Sequence, residues 1–270
     1  MEKEIKLIAI DMDGTLLCDD KSCTKRNFEA LKAAKEMGVE IVPATGRSTN
    51  GIPPIFYELE ARYGIFCNGA TCYDIKEEKV MVKDHFTLEE ALSLIEIAKK
   101  YDCTYDVYAS GFGYMERRFF DSFSEYTTDE GIRRLIAATR HCIAEPLEEF
   151  LQKNDFSIEK VNMFFKDYEV ERELARNEFL DTGITETVNS LYNNLEVVKK
   201  GCSKGKALKL LANKLGIEIS ECMALGDGDN DTHMVEVAGV GVAMENAMDC
   251  VKVVADYITD DNNHSGVGKA

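Results

Sequence analysis

The stretch Ile5-Lys6-Leu7-Ile8-Ala9-Ile10-Asp11-Met12-Asp13-Gly14-Thr15 joins a short apolar run to two carboxylates and a turn-forming glycine. Residues 5–10 have the nearly continuous apolar texture of a strand buried on both faces, as in parallel sheets. In an open α/β sheet, ligands bind and chemistry is done in the crevice beyond the carboxyl ends of the strands. One carboxylate there can attack an electrophile while a second, two residues on, moves a proton, and phosphoryl transfer uses both roles.

Two further apolar runs, 39–44 and 64–67, follow at spacings that leave room for helices. Between the first two, Phe28, Leu31, Ala34 and Met37 fall on one helical face, and Gly38 stops the helix as a C-terminal glycine should. A second helix is expected over 53–63, with prolines in its first turn, where a missing N–H costs little. Strand, helix, strand at this spacing implies right-handed parallel crossovers. The end of the chain returns to the same texture: helix over 203–215, strand over 222–225, helix over 230–238, then strands at 240–243 and 256–258. Both ends therefore contribute to one sheet.

The middle of the chain differs. Candidate strands at 103–108 and 161–165 carry polar residues between apolar ones, the alternation of a sheet with one solvated face. Amphipathic helices over 88–101 and 168–180 would cover the other face. The expected fold class is α/β, a doubly wound, mostly parallel, Rossmann-like sheet, with an α+β domain inserted into it. The expected boundaries are 1–82 and 196–270 for the core and 83–195 for the insertion.

The chain has 270 residues, with 32 Lys+Arg against 49 Asp+Glu, a formal net charge of −17. Such a field repels phosphate backbones and anionic lipid, so nucleic acid and membrane surfaces are excluded as partners. A small phosphorylated metabolite would be repelled too, so its site needs a bound cation or locally clustered basic groups. Nine cysteines without a Cys-x-x-Cys pair do not read as a disulfide framework. No secretory segment or apolar span near eighteen residues is evident, which points to a cytoplasmic protein, monomeric or weakly self-associating.

Three more segments fall where strands end or helices begin: Thr45-Gly46-Arg47, Ser203-Lys204-Gly205-Lys206, and Gly226-Asp227-Gly228-Asp229-Asn230-Asp231. Parallel strands bring these carboxyl ends to one edge. Together with Asp11-Met12-Asp13-Gly14-Thr15, they resemble the four motifs of the haloacid dehalogenase superfamily, and the layout resembles its Cof-type (subfamily IIB) sugar phosphatases. That resemblance implies a doubly wound core with an α+β cap inserted after the second motif. It makes Asp11 a nucleophile that forms an aspartyl phosphate, and Asp13 the group that protonates the leaving alcohol and later activates water. Thr45 and Lys204, joined by Met12, Gly46, Arg47 and Asn230, would hold the phosphate or substrate. Asp227, the Asp11 side chain and the Asp13 backbone carbonyl would coordinate Mg²⁺, with Asp231 supporting the metal or Lys204.

Charge arithmetic agrees with these assignments. Two unit charges 4 Å apart cost about 4 kcal/mol at an effective dielectric near 20. Four carboxylates around a phosphate dianion are therefore untenable without cations, and Mg²⁺ with Lys204 supplies them. Lys204 at a helix start opposes the helix dipole, which itself points to an anionic partner. The sequence leaves two rival functions open: a phosphohexose mutase of the same superfamily, and a phospho-aspartate signalling module. The second is disfavoured by Asp13, which would hasten loss of the phosphoryl group, and by the chain length.

Other features read as structural. Asn68-Gly69 resembles a family turn near the active site but is also a common turn dipeptide. The polar run 260–263 before Gly266-Val267-Gly268 reads as a solvated loop. His85, His141, His233 and His264 show no metal-ligand spacing.

Overall fold

A computed structural model describes residues 4–270. The chain divides into two compact units. The first takes the chain up to Arg47, Ile52–Lys83 and Cys202–Ala270, and the second takes Ser48–Gly51 and Asp84–Gly201.

The first unit is built on a five-stranded sheet in which Tyr257–Ile258, Val240–Ala243, Cys222–Gly226, Leu7–Ile10 and Glu40–Pro43 lie side by side in that order, all parallel. Ile10 is in register with Leu225 on one side and Pro43 on the other, so Asp11, Thr45 and Asp227 leave the same edge. Leu7 and Ala9 pack with Val42, Leu208, Leu211 and Ala224 on one face. Ile10 packs with Leu31, Ile41, Phe56, Leu225 and Val251 on the other. Burial on both faces explains why the strands read as apolar runs rather than alternating ones.

Both principal helices of this unit are capped by side chains. Thr24 accepts a bond from Asn27 N ahead of Lys25–Glu36, and Ser203 accepts one from Lys206 N ahead of Lys204–Leu215, which ends at left-handed Gly216. The residue Met37, expected on the buried face, lies just beyond the helix and is 83% exposed. The helix expected over 53–63 is only Pro54–Glu58. Glu60 adopts a left-handed φ of 51°, and Tyr63–Phe66 is already a strand, so tertiary pairing ends the helix early. That strand opens an antiparallel meander with Thr71–Asp74 and Lys79–Lys83, touching the main sheet through a single parallel bridge between Ala44 and Ile65.

The second unit holds a six-stranded sheet ordered Thr185–Val188, Asn194–Lys199, Ile158–Phe165, Cys103–Ala109, Phe112–Glu116 and Arg140–Ile143. All pairs are antiparallel except the last. The boundary expected at 195/196 would cut the strand Asn194–Lys199, which pairs on both sides within this unit. Helices Leu88–Ala98 and Glu171–Asp181 cover one face, with Leu94, Ile95 and Phe179 packed among Val107, Val161, Met163 and Val197.

The other face is not solvated as expected. Every residue of Cys103–Ala109 and Ile158–Phe165 is buried. The polar side chains on that face neutralise one another: Lys160 donates to Glu196 at 2.6 Å, while Arg140 and Asn162 each donate to Asp106 at 3.0 Å. Arg140 and Lys160 also lie 4.5 and 4.4 Å from the Tyr108 ring centroid. Among the described residues, no helix is long and apolar enough to cross a membrane.

Candidate active site

Asp11 leaves the strand Leu7–Ile10 with its N–H still on Leu225 O at 3.0 Å, and Leu16 N turns back to Asp11 O at 3.2 Å. The residue is therefore anchored through its own backbone on both sides, and it is buried. Its Oδ1 accepts from Lys204 Nζ at 2.6 Å, and the same ammonium donates to Asp231 Oδ1 at 2.6 Å. Burial pushes the Asp11 carboxyl well above the usual carboxylate range, against the pull of Lys204. Burial alone would lower the Lys204 ammonium, but Asp11 and Asp231 more than reverse this and hold it charged.

Asp231 is fully buried, and its second oxygen accepts from the backbone N–H groups of Asp227 and Gly228, both at 3.0 Å. It thus shapes the loop that carries Asp227 while balancing Lys204. Burial raises Asp227 to about 6, opposed by a 2.6 Å hydrogen bond from Thr15 Oγ1. Gly14 makes this approach possible: it adopts φ +88°, and a Cβ there would sit 2.3 Å from Asp227 Oδ2.

Ligand-type oxygens of Asp11, Asp227 and Asp231 lie within 4.8 Å of one another, the one such group of three among the described residues. Hard carboxylate oxygens gathered in this way suit a hard divalent cation such as Mg²⁺. The Asp13 carboxylate is not part of the group. It takes Lys21 Nζ on Oδ1 at 2.9 Å and Arg47 on both oxygens, at 2.7 and 2.9 Å. Burial pushes Asp13 up, and Arg47 followed by Lys21 more than offset this, leaving it below its ordinary value.

Thr45 is buried, and its hydroxyl accepts from Arg47 N at 3.1 Å. Gly46 and Arg47 complete this loop. The Met12 side chain is buried in the apolar core, which leaves only its backbone to face a ligand. Asn230 donates to Asn68 Oδ1 at 3.0 Å.

Thr15 and Lys21 received no role from the sequence. Thr15 stands inside the first motif, where a hydroxyl four residues after an aspartate is a readable signal. Lys21 depends on a tight turn, with Cys18 N on Ser22 O and Lys21 N on Cys18 O, that no local pattern announces.

His233 bonds Ser203 Oγ at 2.6 Å, His85 bonds Ser157 and His264 bonds Asp261. The 260–263 run, expected as a solvated loop, is solvated only in part, with Asn263 exposed and Asn262 buried. Asn262 donates to Leu17 O and to the Asp19 carboxylate, while Gly268 N donates to Asn27 Oδ1, so the segment is tied to the residues that follow the first motif. All nine cysteines are free thiols.

A model of the haloacid dehalogenase-like hydrolases matches residues 8–270. The chain is 35% identical over 272 residues to the 5-amino-6-(5-phospho-D-ribitylamino)uracil phosphatase YcsE of Bacillus subtilis, covering 99% of this chain and 94% of that one. It is 28% identical to the pyridoxal phosphate phosphatase YbhA of Escherichia coli, over 98% of this chain and 96% of that one. Among solved structures, a haloacid dehalogenase-like hydrolase from Bacteroides thetaiotaomicron superposes with a TM-score of 0.83 at 27% identity, covering 98% of each chain.

The chain belongs to the haloacid dehalogenase-like hydrolase family. Within that family it is an enzyme of the phosphatase kind, a phosphoric monoester hydrolase.

Proposed function

We propose that the enzyme hydrolyses small phosphate monoesters, sugar phosphates among them, by passing the phosphoryl group through Asp11. The observation that carries this reading is the Lys204 ammonium held at 2.6 Å from both Asp11 and Asp231. It fixes the buried Asp11 carboxylate and puts positive charge beside it, where a transferring phosphoryl group would need it.

In the first step an Asp11 oxygen attacks phosphorus, the bond to the leaving alcohol breaks, and Asp13 gives that oxygen a proton. In the second, Asp13 takes a proton from water, the water oxygen bonds to phosphorus, and the bond to Asp11 breaks to release phosphate. Lys204, Thr45, Asn230 and the backbone N–H groups of Met12 and Gly46 hold the phosphoryl oxygens throughout. Asp11, Asp227 and the Asp13 carbonyl would hold Mg²⁺, which when bound would supply the charge that offsets four carboxylates facing a phosphate dianion.

The pairing of Asp13 with Arg47 and Lys21 favours its ionised form, the state needed for the second step. An incoming phosphate dianion competes for the same two cations, which frees Asp13 to carry the proton of the first step.

All of these groups address the phosphoryl end of a substrate. We assign discrimination among leaving groups to the second unit, acting as a cap. Exchanging residues 84–201 for those of a phosphatase with different preferences would shift the rank order of substrates if so, and leave it unchanged if not.

The defining test is a panel of phosphate esters assayed with Mg²⁺ and with EDTA. It should include sugar phosphates, pyridoxal phosphate and the ribitylaminouracil phosphate on which the Bacillus subtilis relative acts. Phosphate release that needs Mg²⁺ and disappears in Asp11→Asn supports the reading, and undiminished release by Asp11→Asn overturns it.

A further inference from the structure

Three consecutive residues after the strand Tyr63–Phe66 adopt left-handed backbone conformations: Cys67 at φ 51°, Asn68 at 58° and Gly69 at 103°. Only the last is glycine. A run of this kind persists only where its surroundings over-determine it, and such runs gather at functional sites. All three residues are buried.

What surrounds them is the phosphoryl-facing edge of the first unit. Cys67 N donates to Arg47 O at 2.9 Å and Asn68 N donates to Thr45 O at 3.0 Å, clamping the 45–47 loop by its backbone. A Cβ on Gly46 would lie 2.9 Å from Asn68 Oδ1, so the Asn68 amide rests directly on Gly46. Asn68 O accepts from Cys202 Sγ at 3.7 Å, and a Cβ on Gly69 would sit 2.2 Å from Ser203 O, so the turn abuts the start of the Lys204 helix. Finally, Asn68 Oδ1 accepts from Asn230 Nδ2 at 3.0 Å. One residue thus touches the segments carrying Thr45 and Gly46, Lys204, and Asn230.

We infer that Asn68 is a positioning residue for phosphate binding, its amide oxygen orienting Asn230 and its backbone locking the 45–47 loop. An amide nitrogen carries two hydrogens. With one fixed on Asn68, the other hydrogen of Asn230 is aimed rather than free to rotate. Asparagine meets both demands of the position: it tolerates the left-handed conformation, and it supplies an acceptor without adding a fifth carboxylate. The inference rests on the phosphatase reading above, in which Asn230 contacts the phosphoryl group.

The test is a double-mutant cycle in the full-length protein with Asn68→Gly, Asn230→Ala and both together. Glycine keeps the left-handed backbone and removes only the amide. The readouts are kcat, KM, the inhibition constant of inorganic phosphate with Mg²⁺, and the melting temperature.

Each single variant is expected to weaken phosphate about tenfold, as loss of one hydrogen bond to a charged group implies, with melting changed little. The double variant is expected to be no weaker than Asn230→Ala alone, because Asn68 acts through Asn230. Independent, multiplying losses, or unchanged phosphate affinity in Asn68→Gly, would overturn the inference while leaving the phosphatase reading intact. A wild-type protein that neither releases nor binds phosphate would overturn both. Asn68→Ala, which also removes the amide, runs the same cycle should the glycine variant not fold.

Discussion

Thr15 Oγ1 donates a 2.6 Å hydrogen bond to Asp227 Oδ1, joining the first motif to the last across 212 residues of chain. The bond fixes one oxygen of Asp227 and turns the other toward Gly14, whose missing side chain makes the approach possible. Gly14→Ala is therefore expected to lose about 2–3 kcal/mol of stability, from the strained φ and from displacement of the carboxylate. Its hydrolysis should also need more Mg²⁺. Urea unfolding and a Mg²⁺ titration of the rate check the two effects separately.

Asp227 also makes stability depend on pH when metal is withheld. Its folded carboxyl titrates at about 6, against about 3.9 for an unfolded aspartate. The native state thus binds the extra proton between those values, and the contribution that favours folding at low pH is lost as pH rises through about 6. In EDTA, Asp227→Asn should match the wild type near pH 4 and exceed it near pH 7.5, by on the order of 1 kcal/mol after solvent screening. Melting curves across that range decide, and the asparagine variant should show no Mg²⁺-induced rise.

Removing the ammonium at position 204 strands two buried carboxylates. Lys204→Met is expected to cost about 3–5 kcal/mol, the usual penalty for breaking a buried ion pair from one side, and to abolish turnover. The companion Lys204→Met/Asp231→Asn should recover part of the stability and none of the activity, as read by chemical denaturation beside a phosphate-release assay.

Arg47 restrains Asp13. A carboxylate held below its ordinary value contributes stability above the unfolded pKa, and this is lost as pH falls through the folded one. In Arg47→Met the Asp13 titration should move upward, visible by NMR in metal-free protein, and the acid-side loss of stability assigned to Asp13 should shrink. KM for a phosphate ester should rise about tenfold, the value of one charge-assisted contact.

In the second unit, Lys160 and Glu196 form a buried 2.6 Å pair, and Ser190 and Asn194 also donate to Glu196. Lys160→Met should be strongly destabilising, by about 3 kcal/mol. Lys160→Met/Glu196→Leu should regain much of that loss if the pair is merely balanced charge. Thermal unfolding of the three proteins measures the difference.

The parallel core was legible because two-sided burial writes itself as apolar runs, and strands 7–10 and 240–243 needed little else. The approach of Asp11, Lys204 and Asp227 was legible too, since each stands where a parallel strand ends or the next helix begins. What escaped the sequence depended on partners far along the chain. The stop at Glu60 is set by strand pairing at Tyr63 rather than by local preference. The polar residues 104, 106, 160 and 162 alternate as a wet face would, because alternation cannot tell water from a cross-strand ion pair. Asn262 is a polar residue whose amide meets the Leu17 carbonyl, a reading that requires knowing which carbonyl lies within reach.

The strand Leu7–Ile10 lies between Glu40–Pro43 and Cys222–Gly226. During synthesis its second neighbour emerges from the ribosome long after the first, on the order of ten to forty seconds at usual elongation rates. For that interval the nascent polypeptide carries an unpaired, apolar strand edge, a template for unwanted pairing. Catalytic competence must wait until translation has passed the final motif.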